Sequence, residues 1–194
     1  MRRSALILAP IFLLLAACSS ATDTSTSTAP TAQPSTSGQF VTSDCGVVGG
    51  NPTTASAPPM QGVTMSGVTV QRGQTPQVTI TPGLPAATQV ETKTLKAGRG
   101  QVLKATDTLT FNYCGVGMVS QTQFDSSWAN GAPITYGLAD LIPGWSVGMP
   151  GMKIGEQRLL IIPGAQGYGS TPPAGSGILP DESLVFVVQL VSID

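Results

Sequence analysis

The side chains best equipped for chemistry in this chain are aromatic, and they are crowded together. Eight of the nine aromatics beyond the N-terminal apolar stretch fall between Phe111 and Phe186. Phe124, Trp145, Tyr168 and Phe186 stand beside turn or helix signals, where side chains can line a concavity. Such rings have two readings, an aromatic core or the wall of a ligand pocket. Several Tyr and Trp with almost no charge nearby suit a pocket. The chain has no histidine. Serine-protease triads, Cys–His pairs and ordinary zinc sites all rely on imidazole. An enzyme built here therefore needs a reaction that passes no proton through an imidazole.

The elements that must hold these rings follow from composition. Gly and Pro number 23 and 16 in 194 residues, and charged residues make up only 10%. So much Gly and Pro interrupts long helices, and the apolar material suffices for one core. The chain should be β-rich. Val78–Ile80, Gln89–Leu95, Thr108–Tyr113, Gln157–Ile162 and Leu184–Val191 read as strands, the last two most strongly. Ala97–Gly100 reads as a hairpin-type turn. A short helix runs from Pro143 through Trp145 to Met149, where Pro150 and Gly151 end it. The expected fold class is α+β, a sheet wrapped on one short helix.

The N-terminus reads as an address. Arg2 and Arg3 precede an apolar stretch from Ala5 to Ala17, too short to span a bilayer but suited to a signal-peptide core. It ends Leu15-Ala16-Ala17-Cys18, which resembles the lipobox of bacterial lipoproteins, with Cys18 the lipidated residue. The other reading is an ordinary secretory leader with an incidental cysteine. Residues 18–39, rich in Ser and Thr, cannot offset their ordering entropy and should form a disordered tether. Residues 40–77 form an extension with a strand-like pattern around Gly67, read as an extra hairpin packed on the main domain or as an ordered extension. The main domain is expected over 78–194. Without Arg2 and Arg3, 7 basic residues face 10 acidic ones, and no basic run remains. Nucleic-acid binding thus loses its electrostatic drive.

A more specific signal comes from six blocks in order. They are Tyr113-Cys114-Gly115, Phe124-Asp125-Ser126-Ser127, Leu141-Ile142-Pro143-Gly144-Trp145, Met152-Lys153-Ile154-Gly155-Glu156, Tyr168-Gly169, and Ile178-Leu179-Pro180 followed by Leu184-Val185-Phe186. From about Val78 to the C-terminus the chain resembles the FKBP-type peptidyl-prolyl cis/trans isomerases. That resemblance implies a half-open antiparallel sheet of five or six strands wrapped on a short helix. It implies a pocket of Tyr113, Phe124, Asp125, Ile134, Leu141, Ile142, Trp145, Tyr168, Leu179 and Phe186, with the Trp145 indole as floor. The Ile142 N–H and the Tyr168 hydroxyl would donate to ligand carbonyls. The implied partners are proline-containing polypeptides, with macrolide inhibitors as candidate ligands and the membrane reached through the lipid anchor. No metal or organic cofactor is implied.

Such chemistry suits a chain without histidine. Rotation about an X–Pro bond breaks no bond, and its barrier of about 18–20 kcal/mol is lost amide resonance. An apolar pocket penalises the planar, polarised amide more than the twisted one, and shape complementarity adds to the effect. Three departures from the family pattern stand out. Asn130 replaces an Arg that often pairs with the pocket Asp, which leaves Tyr113 or Asn130 as partner for Asp125. Ile134 replaces an aromatic, and the loop before Ile178 carries Pro172 and Pro173. Cys45 and Cys114 either pair in an oxidising location or remain one buried and one exposed thiol. The altered wall and loop also fit a non-catalytic proline-peptide-binding or chaperone module. An envelope scaffold is a third reading, against which the retained aromatics argue.

Overall fold

The computed structural model describes residues 38–194. The expected signal peptide, Cys18 and the tether up to residue 37 lie outside the described residues. Two sheets follow in chain order. The first contains β1 (Phe40–Asp44), β2 (Thr53–Ala55), β3 (Val63–Met65), β4 (Val68–Gln71) and β5 (Gln77–Ile80) in the order β2-β1-β5-β4-β3. The second contains β6 (Glu91–Lys96), β7 (Thr108–Gly117), β8 (Gln123–Ser126), β9 (Ile134–Gly137), β10 (Gln157–Ile162) and β11 (Leu184–Ile193). Its order is β6-β10-β11-β7-β8, with β9 also on β7, and all its pairings are antiparallel.

The alternation of side chains along β7, β10 and β11 sorts their residues between two cores. Phe111, Leu160, Ile162, Leu184, Phe186 and Val188 face one way, onto Trp145 and Met149. Cys114, Val116, Leu159, Ile161, Val185 and Val187 face the other, onto Val68, Val70, Val78 and Ile80. The molecule is thus layered as helix, six-stranded sheet and five-stranded sheet. This explains why Leu159–Ile162 and Leu184–Val188 are continuous apolar runs. Both faces of these strands are buried, so neither face needs polar residues.

Two expectations need correction and one is extended. The extension is ordered, and its strand pattern around Gly67 is one hairpin of a five-stranded sheet. Its β3–β4 hairpin turns through Ser66 and Gly67, with φ of 44° and 79°, the paired positive values of a two-residue hairpin loop. Val78–Ile80, assigned to the main domain, belongs to this first sheet, because β5 pairs with β1 and β4. Ala97–Gly100 does not close a hairpin, since β6 pairs with the distant β10. Gly98 is instead pressed against backbone: an added Cβ would lie 2.4 Å from the Lys153 carbonyl oxygen.

Two short helices complete the frame, α1 (Ser127–Asn130) and α2 (Pro143–Gly148). Pro143 begins α2, where a missing N–H costs nothing. Gly144 and Gly148 let the helix lie close on β10, for a Cβ at either would strike Ile162 or Leu160 at 2.3 and 2.6 Å. At the far end Arg158 donates to the carbonyls of Gly148 and Pro150 at 2.8 and 3.4 Å while pairing with Glu156 at 2.7 Å. A cation there satisfies carbonyls that the helix leaves open.

Candidate functional site

Between α2 and the concave face of the second sheet lies an open cleft of about 460 Å³. Strand register decides which side chains reach it. On β7, Phe111 and Tyr113 point inward and Gly115 follows, opposite Phe186 of β11. Gly115 leaves space that two rings fill: an added Cβ would lie 2.3 Å from Phe124 and 2.9 Å from Phe186. The edge strands β8 and β9 contribute Phe124, Asp125, Ile134 and Tyr136, while Leu141, Ile142 and Trp145 enter from the start of α2.

The rings meet edge to face, the arrangement their quadrupoles favour. Trp145 contacts Phe111, Tyr113 and Phe186 at centroid separations of 5.0, 5.8 and 5.1 Å. Phe124 meets Phe186 at 5.5 Å and Tyr168 at 6.4 Å. Trp145 is 3% exposed and forms the buried centre of this set, and its indole N–H has no partner among the described residues. The rings converge without filling the space.

The Phe124–Ser127 segment explains itself through hydrogen bonds. Asp125 accepts from the Tyr113 hydroxyl, so the tyrosine takes the place of the missing arginine. Ser127 Oγ accepts from the Tyr113 N–H at 2.9 Å, and Ser126 Oγ caps α1 by accepting from Ala129 N–H at 3.4 Å. Burial first, then the bond to Asp125 and its charge, push the Tyr113 phenol well above its usual range. Burial and the Asp125 charge also raise Tyr168. Both hydroxyls are therefore protonated donors at neutral pH. Besides the buried Trp145 indole N–H, two donors at the cleft stay free of protein acceptors among the described residues: the Tyr168 hydroxyl and the Ile142 N–H. Ile142 has extended backbone just before α2, and its own carbonyl accepts from Trp145 N–H at 2.9 Å.

Nine of the ten residues expected at the pocket line the cleft. Leu179 does not. Its N–H is bound by Glu182 at 2.9 Å, and the preceding Ile178 takes its place against the core. Phe111, Tyr136, Asp140, Pro173 and Ser176 also line the cleft and were not expected. Phe111 was legible, two residues before Tyr113 on one strand face. Pro173 and Ser176 were not, because a loop without periodicity gives no direction to its side chains. Glu182 was missed as well. Though only 5% exposed, it accepts the N–H groups of Val119, Ser120 and Leu179 and so ties the loop bearing Tyr168 and Ile178 to the turn after β7. Cys45 and Cys114 are joined in a disulfide across 69 residues.

The chain is similar to known proteins of one family. The family model for FKBP-type peptidyl-prolyl cis-trans isomerases matches residues 99–191. An FK506-binding protein of Streptomyces anulatus is 38% identical over 120 residues, covering 61% of this chain and 96% of that protein. A probable FK506-binding protein of Corynebacterium glutamicum is 36% identical over 118 residues, covering 60% and 97%. Among solved structures, a peptidyl-prolyl cis-trans isomerase of Pseudomonas syringae is similar at a TM-score of 0.50 and 27% identity, covering 56% of this chain and 78% of that one.

Proposed function

Since the chain belongs to the FKBP-type peptidyl-prolyl cis/trans isomerase family, we propose that its cleft isomerises X–Pro bonds in exported polypeptides by favouring the twisted amide. The observation that carries this reading is a cleft walled by converging rings, with two unpaired donors at Ile142 and Tyr168. The proline ring rests on Trp145, and the donors hold a neighbouring carbonyl while the C–N bond turns. The apolar walls disfavour the planar, charge-separated amide, so the barrier falls without any proton transfer. The frame of sheet and helix fixes these groups before substrate arrives, which spares the cost of ordering them.

The exported location draws support from two sources. Cys18 follows a basic and apolar leader, and the Cys45–Cys114 bridge suits an oxidising compartment. Macrolides of the kind named for the relatives are candidate ligands of the same cleft. A protease-coupled isomerisation assay on an X–Pro peptide tests the activity. Acceleration that disappears in Trp145→Ala supports it, whereas a folded wild type that binds the peptide without accelerating it makes the protein a docking module. For the anchor, Cys18→Ala should move the protein from the membrane fraction to the soluble one. Retention in the membrane would refute lipidation at Cys18.

A further inference from the structure

The wall of the cleft formed by β8 is a four-residue edge strand whose register with β7 shifts between Gly115 and Val116. Short, bulged edge strands have few neighbours to fix them. Yet β8 carries Phe124 and Asp125. Its outer residues show what steadies it. Gln123 Nε2 donates to the Asp44 carbonyl at 3.0 Å, and Ser126 Oγ donates to the Cys45 carbonyl at 2.6 Å. Beside them, Cys114, next to Tyr113 on β7, is bonded covalently to Cys45. Gly50 sits so close behind β8 that an added Cβ would lie 3.0 Å from Gln123 Cβ. Each cleft residue Tyr113, Phe124 and Asp125 thus has a chain neighbour fastened to the end of β1.

We propose that the N-terminal sheet is a positioning element of the proline site, acting on the cleft wall through Gln123, Ser126 and the Cys45–Cys114 bridge. The matched family region begins only at residue 99, so the supporting sheet lies outside that region. Phe124 and Asp125 stand on β8, whereas Ile142 and Trp145 belong to a separate element, the start of α2. Loosening β8 therefore weakens the hold on substrate while the groups on the α2 side keep their places. Preorganised walls favour binding by lowering the ordering needed when substrate arrives.

The proposal rests on reading the cleft as the X–Pro site, and the experiment separates the two. For wild type, Gln123→Ala, Ser126→Ala and Ser126→Thr, KM and kcat are measured in the isomerase assay, and the Kd of an X–Pro peptide by calorimetry. Leu95→Ala serves as a control, since Leu95 is buried on β6, at the edge of the second sheet away from β8, and makes none of these bonds. Gln123→Ala and Ser126→Ala are expected to raise KM and Kd three- to tenfold, with kcat within twofold. Ser126→Thr, which keeps the hydroxyl, should stay near wild type, and Leu95→Ala should lower Tm without moving KM or Kd. The proposal is overturned if Gln123→Ala and Ser126→Ala lower Tm alone, or if Leu95→Ala shifts Kd as much as they do. Should wild type bind peptide but show no turnover, the Kd series still decides the positioning claim, and only the isomerase reading falls.

Discussion

Gly115 is where the packing behind the cleft is tightest, and Gly115→Ala puts a number on it. The residue lies within β7 between Phe124 and Phe186, and its φ is not positive, so alanine fits the backbone. The new Cβ would stand 2.3 Å from Phe124 Cζ and 2.9 Å from Phe186 Cε1. Ordinary carbon contacts begin near 3.5 Å, so the Phe124 ring must retreat by about 1.2 Å, away from the sheet and into the cleft. Overpacking of this kind costs about 1–3 kcal/mol. Relief from glycine's strand penalty returns about 0.5–1 kcal/mol, which leaves a net loss of up to about 2.5 kcal/mol. The displaced ring also narrows the space for proline. Each ~1.4 kcal/mol lost from the bound transition state lowers kcat/KM tenfold. Urea unfolding and peptide kinetics on one preparation check both effects. A variant as stable and as active as wild type would show that the rings behind Gly115 are free to move, contrary to this packing.

Other residues yield sharper separations. Tyr168→Phe removes one unpaired hydroxyl from a half-buried ring, so Tm should hardly move while kcat/KM falls about two- to tenfold, the worth of one hydrogen bond. Arg158→Ala strips both the open carbonyls after α2 and the nearly buried Glu156 of their cation, and should cost about 3 kcal/mol in urea unfolding, with Arg158→Lys losing less. The raised Tyr113 phenol makes stability pH-dependent with a definite sign. An unfolded tyrosine ionises near pH 10, so the contribution of Tyr113 is whole below that pH and drains away as pH rises toward the higher folded value. Urea midpoints at pH 8 and pH 11 should therefore lie further apart for wild type than for Tyr113→Phe.

Much of the second sheet was legible because its strands carry strong signals. The β-branched and aliphatic runs at 157–162 and 184–191 could hardly be anything else, and Pro143 and Pro150 bracket α2. The same runs also held a message that went unread. Lacking alternation, they required a cover on both faces, and the second was foreseen only as a hairpin of the extension packed on the main domain. The covering sheet hid because its strands are three to five residues long and rich in Thr, too short for periodicity to show. In the cleft, residues fixed by strand register or by α2 line the space. Leu179 stands outside the lining because it follows a loop, where a shift of one residue swaps Ile178 for Leu179 with no change in composition. Likewise nothing in the sequence tells that Glu182 turns inward to bind three backbone N–H groups.

At the centre of the account stands an amide that rotates faster in an oily cleft with no proton passed to or from it. Exchange spectroscopy of an X–Pro peptide with catalytic amounts of the oxidised protein, run in H₂O and in D₂O, addresses this directly. Cis/trans exchange should speed up in proportion to protein, with nearly equal rates in the two solvents. No acceleration, or a pronounced slowing in D₂O, would contradict it.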